Sequence, residues 1–252
     1  MIALKELVDY TNKLLDVNSF SDYCPNGLQV EGVPEVKVLA SGVTASLALV
    51  EAAAEAGADA LLVHHGYFWK GENLCVTGMK RRRLQALFDA GISLLAYHLP
   101  LDAHPELGNN AQLARLLGLE TAGRFGNDGG MQLAHYGRLS RPLDVASFYE
   151  YIESSLGRSP QHIAGPAPQI ERIGWCTGAA QTYIEAAVEL GLDAFISGEI
   201  SEQTVHVARE GGIHYFAAGH HATERFGAFA LGEHLAERFG LRHCFINIDN
   251  PV

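Results

Sequence analysis

Ten residues of this chain, 51–60, recur at 185–194 with seven identities, an offset of 134 (185 − 51). In both copies a glycine-bearing strand end precedes an Ala- and Glu-rich helix, and an apolar strand follows it. Strand, helix and strand in that order make a βαβ unit, and two related units imply the same parallel-sheet scaffold used twice. The expected fold is therefore α/β: two duplicated α/β domains with a cleft between their strand ends. Gly123, Gly126, Gly129 and Gly130 crowd a polar stretch at 122–130, where the boundary is expected. That divides the chain into 1–126 and 127–252, with the final strand, 244–248, able to return to the first domain.

Hydrophobic periodicity fills in the elements. Leu4, Leu7, Val8, Thr11, Leu14 and Leu15 share one helical face, so a helix opens the chain. The turn-rich loop that follows, 18–34, is long for a mere connection, and long loops often carry function. Strands are expected at 36–43, 60–63, 92–97, 131–139, 171–176, 193–197, 213–218 and 244–248. Helices are expected at 46–56, 79–90, 109–117, 145–156, 180–190, 202–210 and 222–239.

The totals limit partners and compartment. A net charge of −11 argues against a broad electrostatic footprint for nucleic acid. The four cysteines, Cys24, Cys75, Cys176 and Cys244, are scattered without a Cys-x-x-Cys pair, as expected of reduced thiols. Residues 1–7 mix charge with apolar side chains and lack the apolar core of a secretory signal. No apolar run approaches the roughly 18 residues that a membrane span needs. A soluble, cytoplasmic protein is expected.

The chemistry gathers where strands end. In open α/β sheets, ligands bind beyond the carboxyl ends of strands. The run Ala60-Leu61-Leu62-Val63 ends in His64 and His65, just before Gly66. The next strand leads into His98, Asp102 and His104. Ser197-Gly198-Glu199 closes another, with His206 on the helix beyond, and Gly219-His220-His221-Ala222-Thr223-Glu224 follows the strand at 213–218. Imidazoles and carboxylates repeated at strand exits point to metal. His220 lies four residues before Glu224 and His221 three, and either pair can share a helical face. His98 and His104 flank Asp102, and each can serve as ligand, outer hydrogen-bond partner or acid–base group.

Nitrogen and oxygen donors without thiolate suit Zn, Fe(II) or Mn. These donors exceed the needs of one structural zinc. Two divalent ions sharing a carboxylate and a bridging hydroxide use them better. Asp102, Glu224 and one hydroxide against two such ions leave about +1 by simple addition, which attracts an anionic substrate.

Other motifs narrow the chemistry further. A Gly-x-x-x-x-Gly-Lys-[Ser/Thr] loop, a Gly-x-Gly-x-x-Gly after a strand and a Gly-x-Ser-x-Gly elbow are all missing from the sequence. ATP-driven, nicotinamide and serine-hydrolase chemistry therefore lack support. Tyr67, Phe68 and Trp69, beside the histidines, offer flat faces to a nucleobase or similar ring. Lys80, Arg81, Arg82 and Arg83 read as a solvated helix face.

Four stretches taken together are familiar: Pro25-Asn26-Gly27-Leu28-Gln29-Val30-Glu31-Gly32, Val63-His64-His65-Gly66, His98-Leu99-Pro100-Leu101-Asp102 and Gly219-His220-His221-Ala222-Thr223-Glu224. They resemble the GTP cyclohydrolase 1 type 2 homologue, or Nif-three-like, family in its short bacterial form. The likeness spans nearly the whole chain. It implies two interlinked α/β domains, a dinuclear metal centre in the cleft and a toroidal homohexamer. Position by position, it implies the ligands His64, His65, Asp102, His220 and Glu224, with Glu224 bridging, and so selects His220 over His221.

The expected function is that of a dinuclear metal-dependent hydrolase. A metal-bridging hydroxide attacks a small nucleotide-like or phosphorylated substrate. GTP-cyclohydrolase-type ring opening is one version and phosphoester hydrolysis another. His98 or His104 is the expected proton carrier. The rival expectation is a non-enzymatic carrier that inserts metal into other proteins.

Overall fold

The computed structural model describes residues 1–126 and 131–252; Gly129 and Gly130 of the expected boundary lie outside the described residues. In chain order the elements begin β1 (Ile2–Ala3), α1 (Leu4–Leu14), β2 (Gly27–Val30), β3 (Glu35–Val36), β4 (Val38–Thr44), α2 (Leu47–Glu55), β5 (Ala60–His65), α3 (Gly78–Ala90), β6 (Ser93–Ala96) and α4 (Leu99–Ala103). They continue α5 (Asn109–Leu116), β7 (Leu119–Phe125), β8 (Ala134–Asp144), α6 (Val145–Leu156), β9 (Gln161–Ile163), β10 (Gln169–Cys176), α7 (Ile184–Glu189), β11 (Ala194–Ser197), α8 (Glu202–Gly211) and β12 (His214–Ala217). Helix α9 (His220–Phe239) and strand β13 (Arg242–Phe245) complete them.

Two compact units result, each drawn from two segments: Met1–Gly108 with Arg225–Asp249, and Asn109–Glu224 with Asn250–Val252. The division at Gly108 and Asn109 lies ahead of the glycine-rich stretch because β7 pairs antiparallel with β8 and so belongs to the second sheet. Strand β13 pairs parallel with β4 in the first unit.

The first unit holds a five-stranded sheet in the order β13-β4-β5-β6-β2, parallel except for the edge strand β2, and a small β1-β3 pair. Parallel strands are stable when both faces are covered. Here Ala40, Leu61, Val63 and Leu94 pack against Leu49, Val50 and Ala53 of α2 and Leu84 and Leu87 of α3. The opposite face, with Leu39, Leu62 and Leu95, packs against Leu7 of α1 and Leu231 and Leu235 of α9. Each such Leu or Val side chain, fully buried, contributes about 1.5–3 kcal/mol. Helix α2 starts where it does because the Ser46 hydroxyl accepts the Leu49 N–H at 3.2 Å.

The second unit holds a six-stranded sheet in the order β7-β8-β10-β11-β12-β9. Its β10, β11 and β12 are parallel and the flanking strands antiparallel. The repeat seen in the sequence recurs here as hydrogen bonds. Asp59 Oδ2 accepts the N–H groups of Lys37 and Val38 at 2.8 and 2.9 Å. Asp193 Oδ2 accepts those of Glu171 and Arg172 at 3.0 and 2.8 Å. The sheet register repeats as well, Leu39 beside Ala60 and Ile173 beside Ala194.

Several elements depart from the sequence expectation. Strands β2 and β9 lie inside stretches read as loops, and β7 and the short α4 were not anticipated. Helix α9 begins at His220 rather than Ala222, and the last strand ends at Phe245 rather than 248. Among the described residues, no helix is long and apolar enough to cross a membrane.

Candidate metal centre

In the first unit, the end of β5 delivers His64, fully buried, and His65, partly buried, with ring centroids 4.5 Å apart. His64 Nδ1 lies 2.9 Å from the Tyr97 carbonyl oxygen, which can only accept, so Nδ1 carries the proton and Nε2 keeps its lone pair. That Nε2 stands 3.6 Å from Asp102 Oδ1. His65 Nδ1 meets the Thr44 hydroxyl at 3.0 Å. Asp102 is buried on α4, a five-residue helix.

His98 joins this pair. Its ring centroid lies 5.0 Å from that of His64 and 5.8 Å from that of His65, and the nitrogens that His64, His65 and His98 offer all lie within 4.8 Å of one another. The long loop of residues 18–34 exists partly to fix it. Asp22 Oδ1 accepts from His98 Nδ1 at 2.9 Å, and Asn26 Oδ1 accepts the His98 N–H at 2.7 Å. Asp22 also accepts from the Tyr23 and Leu99 N–H groups and from the Asn26 amide. Burial alone would raise the Asp22 carboxyl, but these donors and the charge of His98 outweigh it and hold the group at about 2.

Asp22, Cys24 and His98 also come close enough to suggest a metal. Their chemistry argues otherwise. Each Asp22 oxygen already takes two donors, and burial, with the charge of Asp22, pushes the Cys24 thiol up to about 12, so it offers no thiolate.

Around His98 stand Tyr23, with centroids 5.4 Å apart, and Trp69, edge-on at 5.1 Å. Of the aromatic trio singled out by sequence, Tyr67 is structural: it is buried and donates to the Ala45 carbonyl. Phe68 takes a left-handed backbone, φ 65°, rare for a bulky residue, in the turn that leads to Trp69. The loop lies close to Gly66, where a Cβ would collide with the Gln29 side chain that holds Tyr67.

In the second unit, the turn after β12 supplies the other donors. Because α9 begins at His220, that residue and Glu224 sit one turn apart, with His220 Nε2 3.1 Å from Glu224 Oε2. His220 Nδ1 meets Glu199 Oε1 at 2.7 Å. Burial pulls the imidazole pKa down, but Glu224 and Glu199 together outweigh it and raise it to about 9. Glu224 is 3% exposed. Its space is kept by Gly178, φ +68°, where a Cβ would collide with Glu224 Oε1. Gly198 leaves room likewise, since a Cβ there would lie 2.6 Å from His220 Cα.

The remaining candidates make other contacts. His104 Nδ1 accepts the N–H groups of Glu106 and Leu107 at 3.3 and 3.0 Å and so caps a turn. The His221 N–H donates to the Val252 carbonyl oxygen. His206 pairs with Glu202 on an exposed face of α8. Asp22 and Thr44 escaped sequence reasoning, because a single acid in a polar loop and a threonine ending a strand carry no pattern. One further arrangement looks like a nucleophile relay: Ser41 Oγ lies 2.8 Å from His243 Nε2, and His243 Nδ1 meets Glu233. Ser41 is wholly buried in mid-strand, however, so the trio ties α9 to β4 and β13 and admits no substrate.

The donor set fits divalent metal. In the first unit His64 and His65 are held at Nδ1 with Asp102 beside His64, and in the second His220 is held at Nδ1 with Glu224 beside it.

A family model described as Duf34/NIF3 (NGG1p interacting factor 3) matches residues 2–251. A Pseudomonas aeruginosa protein named GTP cyclohydrolase 1 type 2 homolog is 56% identical over 250 residues, covering 99% of each chain. A solved structure titled protein ybgI, of unknown function, superposes with a TM-score of 0.95 at 50% identity over all of both chains. Another, TTHA1606 from Thermus thermophilus, gives a TM-score of 0.90 at 34% identity, again over the whole of both chains.

Proposed function

The chain belongs to the Duf34/NIF3 family, and from that footing we propose that it is a dinuclear metal-dependent hydrolase acting on a small nucleotide-like or phosphorylated compound. GTP-cyclohydrolase-type ring opening is one version of the reaction. His64, His65 and Asp102, with His220 and Glu224, would hold two divalent ions (Fe, Zn or Mn). One observation carries this reading: His64, His65 and His220 each spend Nδ1 on an oxygen, of Tyr97, Thr44 and Glu199 respectively. Metal-ligating histidines almost always hold their other ring nitrogen in this way.

Divalent ions bound there supply Lewis acidity and hydroxide at neutral pH. The chain's own residues supply the proton traffic and the substrate's seat. Asp22, anionic down to about pH 2, fixes His98 Nδ1 and leaves Nε2 to give or take a proton. His104, with Nδ1 spent on two backbone N–H groups, is the poorer carrier. Tyr23 and Trp69 beside His98 offer flat faces to a ring. The exposed Leu74, Val76 and Met79 favour contact between copies in a toroidal homohexamer.

Elemental analysis of freshly purified protein tests the metal. Turnover on nucleotide and phosphoester panels, with Asp102→Ala as control, tests the reaction. About two ions per chain, with turnover abolished in the variant, is the expected result. Fast ion release without turnover points instead to a carrier that inserts metal into other proteins. A chain that binds no divalent metal sinks both readings.

A further inference from the structure

The turn that carries His220 is contacted by Arg158 and by the segment 250–252. Gly219, φ +98°, introduces the turn, and a Cβ there would lie 2.9 Å from Arg158 Cδ, so the arginine stem occupies the space above it. Arg158 follows the left-handed Gly157 that ends α6, and its own N–H bonds back to the Glu153 carbonyl at 3.2 Å. Its guanidinium donates to the Pro251 carbonyl oxygen. The neighbouring carbonyl, of Val252, accepts the His221 N–H at 2.9 Å. Amides in the first turn of a helix have no acceptor within the helix, so Val252 supplies one that α9 lacks. The Val252 N–H in turn donates to Asn250 Oδ1 at 3.0 Å, which shapes the segment.

These contacts close a ring: Gly219, Arg158, Pro251, Val252 and His221. The segment Asn250–Val252 groups with the second unit, although Arg225–Asp249 before it group with the first. Its contacts with Arg158 and His221 account for that return. From this we infer that Arg158 and residues 250–252 are positioning elements for the metal half-site, holding the first turn of α9 so that His220 Nε2 and the Glu224 carboxylate face one ion. The inference rests on the metal reading of His220 and Glu224.

The test uses the full chain, a variant lacking Pro251 and Val252, Arg158→Ala, Arg158→Lys and His220→Ala. Zinc affinity is measured by competition with a chromophoric chelator, beside the Tm of each metal-free protein. Outer hydrogen-bond partners of metal ligands are worth about 10–100-fold in affinity. A loss of about tenfold is expected in the shortened chain and in Arg158→Ala. Arg158→Lys should be milder and the metal-free Tm nearly unmoved. Unchanged zinc affinity in both variants overturns the inference, as does a fall in Tm with affinity intact in the folded fraction. If the full chain binds none of zinc, iron(II) and manganese(II), the metal reading fails and takes this inference with it. If it binds, and only His220→Ala loses zinc, the metal reading stands and the positioning role alone is refuted.

Discussion

The Glu199 carboxylate stands 2.7 Å from His220 Nδ1, on the side of the ring away from Glu224. A carboxylate in that place makes the imidazole more basic and fixes its rotation. Glu199→Gln keeps a hydrogen-bond partner but removes the charge. Metal affinity should fall roughly tenfold, the lower end for such partners, and in the metal-free protein the His220 titration should move down from about 9. Proton NMR of the ring against pH reads the second effect; an unmoved titration would show that Glu199 does not set the basicity of His220.

The raised pKa of His220 has a direction in stability. Its folded value is about 9 against an ordinary 6.5. The metal-free protein therefore enjoys this group's contribution in full below 6.5 and loses it as pH rises through about 9. Melting temperatures of chelator-treated protein should drift down across that interval. Zinc must displace the same proton, so apparent affinity should climb as pH rises toward 9. Parallel melting and chelator-competition series check both slopes.

Asp22 works in the opposite sense. Its folded pKa of about 2 lies below the ordinary 3.8, so its contribution is present above 3.8 and lost as pH falls toward 2. Asp22→Asn at neutral pH should cost about 1–3 kcal/mol, since buried donors lose a charged acceptor. The gap in stability between wild type and variant should narrow on acidification. Urea unfolding at neutral pH and at about pH 3 makes the comparison, and a constant gap would exclude the carboxylate as its source.

Gly178→Ala puts a methyl group where Glu224 Oε1 stands and forces a left-handed backbone on alanine. The backbone term alone costs about 1–2 kcal/mol. Metal content should fall well below that of wild type in protein that still folds, as elemental analysis beside circular dichroism would show. Gly232→Ala, where a Cβ would collide with His243 Nε2, serves as contrast: stability should drop with metal content retained.

Much of this was legible in the residue order. The repeat at 51–60 and 185–194 marked two βαβ units because the same aspartate, glycine and alanines recur at matching places, and Asp59 and Asp193 prove to make the same pair of backbone bonds. His64, His65, His220 and Glu224 were visible because strand exits concentrate function. What stayed hidden was local structure imposed by neighbours. Strand β2, only Gly27–Val30, is an edge strand held by β6, and β7 carries Ala122 and Gly123 in mid-strand with a register shift between Thr121 and Gly123, so neither announces itself by alternation. Asp22 matters through partners 4, 76 and 77 residues away, a relation that no periodicity encodes.

The placement of β13 has a consequence for the order of assembly. The strands of the second sheet lie between Leu119 and Ala217, whereas the first sheet needs Val38–Thr44 beside Arg242–Phe245. On the ribosome the sheet whose strands begin to emerge later is the one that can be finished sooner. Until residues 242–245 leave the tunnel, the edge of β4 that β13 covers stays open for pairing. A nascent chain stalled short of residue 242 is thus prone to aggregate through that edge.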